Sequence, residues 1–324
     1  MTAPLLDVRG LRVVFPTRRG DLVALDDVSF EMARGEILGM VGESGAGKSV
    51  TGAAVTGLLD PPGHVAGGEI RFDGQRIDQL SQRAWQPLRG RHIATIFQDP
   101  LTALNPLYTV GRQLTETLRT HFPMSAAAAR RRAAELLAET GIPGAASRLD
   151  DHPHQFSGGM RQRVVIALAL AGEPRLIVAD EPTTALDVSV QAQITALLRR
   201  LSRERGLAVL LITHDMGVVA DTCDRVAVMY AGRIAEIGPV DAIVRQPAHP
   251  YTAGLMGAIP GLTSPRERLV QIDGAMPRLN AIPSGCAFHP RCPRVFEPCA
   301  TRRPDLMSAG ATRAACWLHD GGVA

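Results

Sequence analysis

The chain has 324 residues, enough for one large α/β domain with an appendage or for two modest domains. Hydrophobic residues make up 45% and charged residues 21%, which describes an ordinary globular protein and not a disordered one. The net charge is only +3 and no block of like charge stands out, so the composition indicates no nucleic-acid partner.

Neither a targeting segment nor a membrane span is expected from the sequence. Residues 1–10 lack the basic stretch and apolar core of a secretory signal. The longest apolar runs, such as residues 164–171, fall far below the ~20 residues that a membrane helix needs. We therefore expect a soluble cytoplasmic chain, with any membrane role exerted through partners.

The first third of the chain has the pattern of a nucleotide-binding α/β unit. Residues 6–15 and 23–31 alternate apolar and polar side chains, which predicts two strands around a turn. Residues 37–41 form a short apolar run with the length of a buried parallel strand. A glycine-rich loop follows directly, and residues 48–59 are predicted to form a helix.

The glycine-rich loop fits the phosphate-binding pattern G-x-x-x-x-G-K-[ST] in full. Glycines let backbone N–H groups turn inward around phosphates, and the following helix directs its positive end at the same anion. Lys48 would add a positive charge for the β- and γ-phosphates, and Ser49 would offer its hydroxyl to Mg²⁺. The residues expected to contact ATP here are Gly42, Glu43, Ser44, Gly45, Ala46, Gly47, Lys48, Ser49 and Val50.

A helical insertion follows in the middle of the chain. Residues 110–121 and 125–140 are predicted helices, the second with Ser125 as its N-cap and Gly141 just past its end. Strand patterns return at residues 176–179 and 208–213. The second of these strands is followed by His214.

A pair of carboxylates closes the first returning strand. Asp180 and Glu181 follow the apolar run at 176–179, so they are expected at the end of a strand. Asp180 would hold Mg²⁺ through water, and Glu181 would orient and polarise the attacking water. Alone this pattern is weak, but together with a phosphate loop it indicates a nucleoside triphosphatase.

Four further elements narrow the assignment. Residues 156–163 read FSGGMRQR, upstream of the two carboxylates. Gln98 follows a predicted strand at 93–97, Asp187 lies in the segment Ala185-Leu186-Asp187, and His214 ends the strand at 208–213. These elements resemble motifs of the ABC transporter ATPases. Residues 156–163 resemble the signature motif, Gln98 the glutamine of the glutamine loop, Asp187 the D-loop aspartate and His214 the switch histidine.

The resemblance covers about residues 5–247 and implies an α/β P-loop NTPase of the ABC ATPase type, with a helical subdomain at about 99–160. In that family two such domains sandwich two ATP molecules head to tail. The resemblance implies that Ser157, Gly158 and Gly159 contact ATP bound to the opposite subunit. Met160 and Phe156 depart from the usual Gln and Leu, while the phosphate-facing serine and glycine remain.

For the chain's own site, the resemblance implies catalytic roles for Lys48, Gln98, Glu181 and His214. Magnesium would be held by Ser49, Gln98 and Asp180. Phe15, at the end of the first predicted strand, would stack on adenine. Asp187 would occupy the D-loop. These expectations describe half of each catalytic centre, since a partner subunit supplies the signature motif.

Two segments point to a class of transporter. Residues 97–106 (FQDPLTALNP) and 249–255 (HPYTAGL) resemble the ATP-binding subunits of oligopeptide and dipeptide permeases. The resemblance implies peptide import, a second ATPase subunit that is a paralogue, two transmembrane permease subunits and an extracytoplasmic peptide-binding protein. Alternatives are an importer of nickel or another small solute, and a non-transport ABC ATPase tied to iron–sulfur assembly.

The C-terminal extension concentrates the cysteines. We place a boundary near residue 247, with a nucleotide-binding domain at 1–247 and a regulatory extension at 248–324. Four of the five cysteines follow residue 285, and in a cytosolic chain such clustering favours metal binding over disulfides. Their wide spacing suits a [4Fe–4S] cluster better than Zn²⁺, which prefers C-x₂₋₄-C pairs. The predicted ligands are Cys286, Cys292, Cys299 and Cys316.

Overall fold

The computed structural model describes residues 3–184, 186–258 and 272–320. The chain divides into two compact units. The loop unit contains residues 1–33, 37–79 and 212–324, and the helical unit contains residues 34–36 and 80–211. The expected boundary near residue 247 remains a prediction.

One sheet of the loop unit is antiparallel and built from the N-terminal strands. Its order is β2 (Gly20–Met32), β1 (Leu6–Thr17), β4 (His64–Phe72) and β5 (Gln75–Arg76). Thr17 pairs with Gly20, so β1 and β2 form a tight hairpin, and β4 becomes buried only toward its end, at Ile70 and Phe72. The apolar face of this sheet contributes Leu6, Leu11, Leu25 and Ile70 to the core.

The second sheet of the loop unit joins the phosphate-loop strand to the C-terminal extension. Strand β3 (Ile37–Val41) runs parallel to β9 (Arg225–Tyr230), as its fully buried apolar sequence predicts. Next come β10 (Arg233–Pro239), β12 (Thr312–Ala314) and β11 (Met307–Ala309), all antiparallel. Strands β11 and β12 are thus hydrogen-bonded into this sheet, because β12 pairs with β10 and β11 pairs with β12.

Four α-helices of the loop unit are described: α1 (Lys48–Thr56), α9 (Met216–Thr222), α10 (Val240–Arg245) and α11 (Pro250–Gly257). Helix α1 is shorter than predicted. It ends at Thr56 because Gly57 adopts a left-handed conformation with φ 66° and donates its N–H to carbonyls of the last turn.

The helical unit contains strands β8 (Ala208–Ile212, except for its last residue), β7 (Leu176–Asp180) and β6 (Ile93–Ile96), which are neighbours in that order. Strands β6 and β7 run parallel, with Ile93 opposite Leu176. The described helices of this unit are α2 (Gln82–Trp85), α3 (Pro100–Ala103), α4 (Val110–His121), α5 (Ala126–Glu139), α6 (Ala145–Arg148), α7 (Gly158–Leu170) and α8 (Val188–Arg205).

The two helices predicted for the insertion are confirmed. Thr109 caps α4 by accepting a hydrogen bond from the Arg112 N–H, and Ser125 caps α5 by accepting from the Ala128 N–H. Helices α4 and α5 pack on each other through fully buried apolar residues such as Leu114. Among the residues described, no helix combines the length and the apolar character that crossing a membrane would require.

Candidate nucleotide site

The phosphate loop has a backbone that only glycine can adopt at two points. Gly42 has φ +150°, and a Cβ there would lie 2.3 Å from the Met229 carbonyl oxygen. Gly47 has φ +104°, and a Cβ there would lie 2.7 Å from Leu25 Cδ2. The loop is therefore closely packed against the strands beneath it at both of its ends.

Hydrogen bonds hold the rest of the loop in place. Ala46 is completely buried, and its carbonyl accepts a hydrogen bond from the Gly232 N–H at 2.9 Å. Gly47 is the N-cap of α1 and has no side chain with which to cap it. The first turn of α1 therefore directs its backbone N–H groups and its positive dipole toward the loop, which is the arrangement that binds phosphate.

Lys48 is held against the loop itself. Its side chain is buried, and Nζ donates to the Gly42 carbonyl at 2.8 Å and to the Glu43 carbonyl at 3.1 Å. The two carbonyls fix the ammonium at the mouth of the loop. A bound phosphate would compete with them for its protons. Ser49 is exposed and Val50 half-buried in the first turn of the helix.

Glu43 has two partners from the C-terminal third of the chain. Its N–H donates to Tyr251 Oη at 2.9 Å. Its carboxylate accepts from both terminal nitrogens of Arg291, at 2.8 and 3.0 Å. We predicted Glu43 only as an ATP-contacting loop residue and gave Tyr251 and Arg291 no part in the site. The one available signal was the HPYTAGL segment, which contains Tyr251.

Glu181 has a strained backbone at the end of β7. The strand is buried up to Asp180, which is half-buried, and Glu181 then adopts φ +45°, a value that non-glycine residues rarely show. Thr184 Oγ1 donates to Glu181 Oε2 at 2.8 Å, and Gln98 Nε2 donates to the same oxygen at 3.2 Å. The structure thus brings together the glutamine and the carboxylate that the sequence predicted as catalytic.

Gln98 lies just beyond β6 and is exposed. The chain after it turns sharply into α3, where Asp99 Oδ1 accepts from the Leu101 N–H at 2.8 Å and Pro100 occupies the first turn. This cap fixes the backbone one residue after Gln98. The side chain of Gln98 itself remains at the surface.

The signature segment begins helix α7. Ser157 is exposed and caps the helix by accepting a hydrogen bond from the Met160 N–H. Phe156, one of the two departures from the usual signature, is buried and 2% exposed, so it acts as a core residue. A Cβ on Gly159 would lie 2.5 Å from Val190 Cγ1, whereas one on Gly158 would meet Leu186 at an ordinary 3.7 Å.

Asp187, which the sequence predicts for the D-loop, caps helix α8. Asp187 Oδ1 accepts from Ser189 Oγ at 2.6 Å and from the Val190 N–H at 2.9 Å. These hydrogen bonds, the one from Ser189 first, lower the pKa of Asp187. Ala185, the first residue of the predicted D-loop segment, lies outside the described residues.

Phe15 and His214 complete the set of predicted residues. Phe15 is half-buried in β1, and its ring lies so close to Gly63 that a Cβ there would approach Cε1 to 2.4 Å. His214 is exposed just after β8, and Asp215 beside it caps α9. Phe15, His214 and the phosphate loop belong to the loop unit, whereas the helical unit holds Gln98, Asp180, Glu181, Ser157, Gly158, Gly159 and Asp187.

The four C-terminal cysteines are free thiols, and their charges influence one another's pKa. Burial, and then the charges of the other three cysteines, raise the pKa of Cys286 to about 11. Burial likewise raises the pKa of Cys292 and of Cys316.

Within residues 3–184, 186–258 and 272–320, no group of three or more His, Cys, Asp or Glu side chains has the arrangement that holds a metal ion. A Zn²⁺ ion needs four ligands about 2.3 Å from one point if all are sulfur. The thiols do not provide that geometry. The Zn²⁺ alternative thus has no support, and the [4Fe–4S] cluster remains a prediction.

Comparison with known protein families finds two matches, one in the first two thirds of the chain and one in the C-terminal third. Residues 25–184 match the family model described as ABC transporter, and residues 235–299 match the one described as oligopeptide/dipeptide transporter, C-terminal region. An ATP-binding cassette solved as a dimer with ADP and Pi matches with a TM-score of 0.65 and 28% identity, over 72% of this chain and 98% of that one.

Curated relatives are similar over nearly the whole length. The oligopeptide transport ATP-binding protein OppD of Salmonella typhimurium is 49% identical over 311 residues, covering 96% of this chain and 92% of its own. The dipeptide transport ATP-binding protein DppD of Bacillus subtilis is 48% identical over 318 residues, covering 98% and 95%. The chain therefore belongs to the ABC transporter ATP-binding proteins, in the group whose C-terminal region is that of the oligopeptide/dipeptide transporters.

Proposed function

We propose that this chain binds and hydrolyses ATP to drive the import of dipeptides or oligopeptides by an ABC transporter. The observation that carries the proposal is the end-to-end similarity to peptide transport ATP-binding proteins, which includes the C-terminal region as well as the cassette. The complete phosphate loop, with Lys48 held at its mouth, supports the ATPase part of the proposal.

The proposed chemistry is phosphoryl transfer to water, which depends on positioning and on stabilisation of charge. Lys48 and the loop N–H groups bind the β- and γ-phosphates. Glu181 accepts the proton of the attacking water, and Gln98 and His214 orient the reacting groups. The hydrogen bond between Gln98 and Glu181 supports this grouping.

Magnesium fits the oxygen donors proposed for it, because a hydroxyl, a carboxylate and an amide oxygen are the hard ligands that Mg²⁺ prefers. Ser49, Asp180 and Gln98 would hold it. The ion would neutralise charge on the β- and γ-phosphates.

Each catalytic site is proposed to need two subunits. Ser157 and Gly159 would contact the γ-phosphate of ATP held by the opposite subunit, with Gly158 as part of the same signature motif and Asp187 in the D-loop. The exposure of Ser157 at the start of α7 supports this role. Phe15 would stack on the adenine of this chain's own nucleotide.

We propose that the second ATPase subunit is a paralogue. The complex would also contain two transmembrane permease subunits and an extracytoplasmic peptide-binding protein. The chain would lie on the cytoplasmic side of the inner membrane, as a peripheral subunit. The nucleotide-binding domain would end near residue 247, and residues 248–324 would form the regulatory extension.

We also propose a [4Fe–4S] cluster on Cys286, Cys292, Cys299 and Cys316. The residues fit such a cluster chemically, because iron–sulfur clusters are bound by cysteine thiolates and all four cysteines are free thiols. The other three lie close enough to Cys286 to influence its pKa. A [4Fe–4S] cluster is larger than a single ion, so its four thiolates need not converge on one point as the ligands of Zn²⁺ do. Its role would be structural or redox-sensing, not catalytic.

The proposed function is tested with the complex purified from membranes and reconstituted in vesicles. Trialanine supplied with the peptide-binding protein is expected to stimulate ATP hydrolysis and to enter the vesicles, whereas Ni²⁺ is not. Stimulation by Ni²⁺ and not by peptides would overturn the peptide assignment. Metal analysis of the same sample tests the cluster, and iron content unchanged by serine at all four cysteines would refute it.

A further inference from the structure

We propose that Arg291 and Tyr251, both in the C-terminal region, are positioning residues for the nucleotide site and act on it through Glu43 of the phosphate loop. The inference rests on the proposed ATPase function. It goes beyond that function by making part of the C-terminal extension a structural component of the phosphate loop.

The bond between Arg291 and Glu43 is bidentate and largely buried. Both terminal nitrogens of the guanidinium donate to the carboxylate, one to each oxygen, at 2.8 and 3.0 Å. The Arg291 side chain is only 7% exposed and that of Glu43 is 28% exposed. A planar fork in this geometry fixes direction as well as distance, which a lysine would not do.

Tyr251 fixes the backbone of the same residue. Its hydroxyl accepts the Glu43 N–H at 2.9 Å, and the side chain is completely buried. The ring packs edge-on against Tyr230, with centroids 4.7 Å apart, and against Phe288 at 5.4 Å. Glu43 is thus held at its amide and at its carboxylate.

Both positioning residues are themselves fixed in the loop unit. Arg291 Nε donates to the Asp273 carbonyl at 2.8 Å. The start of α11, which carries Tyr251, is tied to β10 by the fully buried carboxylate of Glu236, which accepts from the N–H groups of Ala248 and His249. The C-terminal region therefore has the rigidity needed to set the position of Glu43.

Glu43 is connected in turn to the phosphate-binding lysine. Its carbonyl is one of the two that accept from Lys48 Nζ. The other belongs to Gly42, whose conformation is fixed by its close approach to Met229. Displacement of Glu43 would therefore move Lys48 and alter the mouth of the loop. This is the step by which loss of Arg291 or of the Tyr251 hydroxyl reaches bound ATP.

The experiment measures binding of a fluorescent ATP analogue to the purified full chain, together with KM and kcat for ATP in the assembled transporter. Arg291→Ala is expected to weaken binding and to raise KM about tenfold, the loss expected for one charged hydrogen-bonded pair, with a smaller change in kcat. Arg291→Lys should be intermediate. The matched control is Arg294→Ala, three residues further on and exposed, which should bind like the wild type.

A double-mutant cycle tests whether Arg291 acts through Glu43. The double variant Glu43→Ala with Arg291→Ala is expected to bind no more weakly than the weaker single variant, because both changes break the same bond. Additive losses, or an Arg291→Ala chain with wild-type affinity and KM, would overturn the proposal.

Tyr251→Phe provides a second route should Arg291→Ala fail to fold, since it keeps the buried ring and removes only the acceptor of the Glu43 N–H. It should weaken ATP binding while circular dichroism remains native, and unchanged affinity would contradict the proposal. If the transporter did not import peptides, these ATP-binding measurements would still test the role of Arg291 and Tyr251. The peptide-import proposal and the positioning proposal can therefore be refuted independently.

Discussion

Gln98 donates a hydrogen bond to Glu181 across 83 positions of sequence, with Nε2 3.2 Å from Oε2. The same carboxylate oxygen accepts from Thr184 at 2.8 Å, and Glu181 has a left-handed backbone. The side chain proposed as the base is therefore oriented by two hydrogen bonds to one oxygen, at a strained strand end. Strain at such a position is typical of functional residues whose surroundings determine their conformation.

The first prediction concerns the base itself. Glu181→Gln keeps the shape of the side chain and removes its ability to accept a proton. Hydrolysis should fall by ~100-fold or more, while binding of ATP remains near normal. The measurement is phosphate release by the assembled transporter beside equilibrium ATP binding.

Thr184→Val is the comparison variant for the base, because it removes one hydrogen bond to Glu181 and leaves the carboxylate. A smaller loss of turnover, about tenfold or less, is expected. If Glu181→Gln turned over ATP at a near-normal rate, Glu181 would not be the base.

The second prediction concerns Lys48. Lys48→Ala removes the buried ammonium and leaves the Gly42 and Glu43 carbonyls without this donor. Affinity for ATP should fall about 10- to 100-fold, because a charged hydrogen bond to phosphate is lost. Titration with a fluorescent ATP analogue measures the effect, and wild-type affinity would remove Lys48 from the site.

The third prediction compares two neighbouring glycines. A methyl group at Gly159 would lie 2.5 Å from Val190 Cγ1, whereas one at Gly158 meets only an ordinary contact. Gly159→Ala should lower the free energy of unfolding by about 1–3 kcal/mol, and Gly158→Ala should be neutral or stabilising. Denaturant unfolding distinguishes them, and equal stability of the two variants would contradict the packing.

The fourth prediction is a pH dependence from His249. Burial, with the charge of His319 as a second cause, lowers the pKa of His249 to about 4. Its Nδ1 accepts from the Tyr251 N–H, so the folded protein holds the ring neutral. Between pH 6.5 and 4 the unfolded chain binds the extra proton, so acidification through this window destabilises the fold by on the order of 3 kcal/mol.

His249→Asn keeps a side-chain acceptor at the N-cap of α11 and does not titrate. Thermal unfolding of this variant should depend less on pH between 6.5 and 4 than that of the wild type. Parallel pH profiles for the two proteins would show that His249 does not carry this dependence.

The sequence predicted those features that local patterns determine. Ser125 and the apolar spacing after it indicated helix α5, and the glycines with Lys48 indicated the loop, because caps and tight turns depend on neighbouring residues. The same holds for the carboxylates at the end of β7.

Contacts between distant residues were not predictable from one sequence. Glu43 meets Tyr251 and Arg291 across separations of 208 and 248 residues, and neither partner carries a pattern that names the other. The short strands β11 and β12 were also missed. Each has three residues, and they form because β10 offers an edge to pair with.

The proposed sharing of each ATP site between two subunits is tested most directly at Ser157, through phosphate release by the assembled transporter. Ser157→Asp keeps a good N-cap for α7, so the helix remains stable, but directs a negative charge at the partner's γ-phosphate. The variant should lose hydrolysis by ~100-fold or more while the isolated chain still binds ATP. Hydrolysis at the full rate by the monomeric variant would contradict a site shared between two subunits.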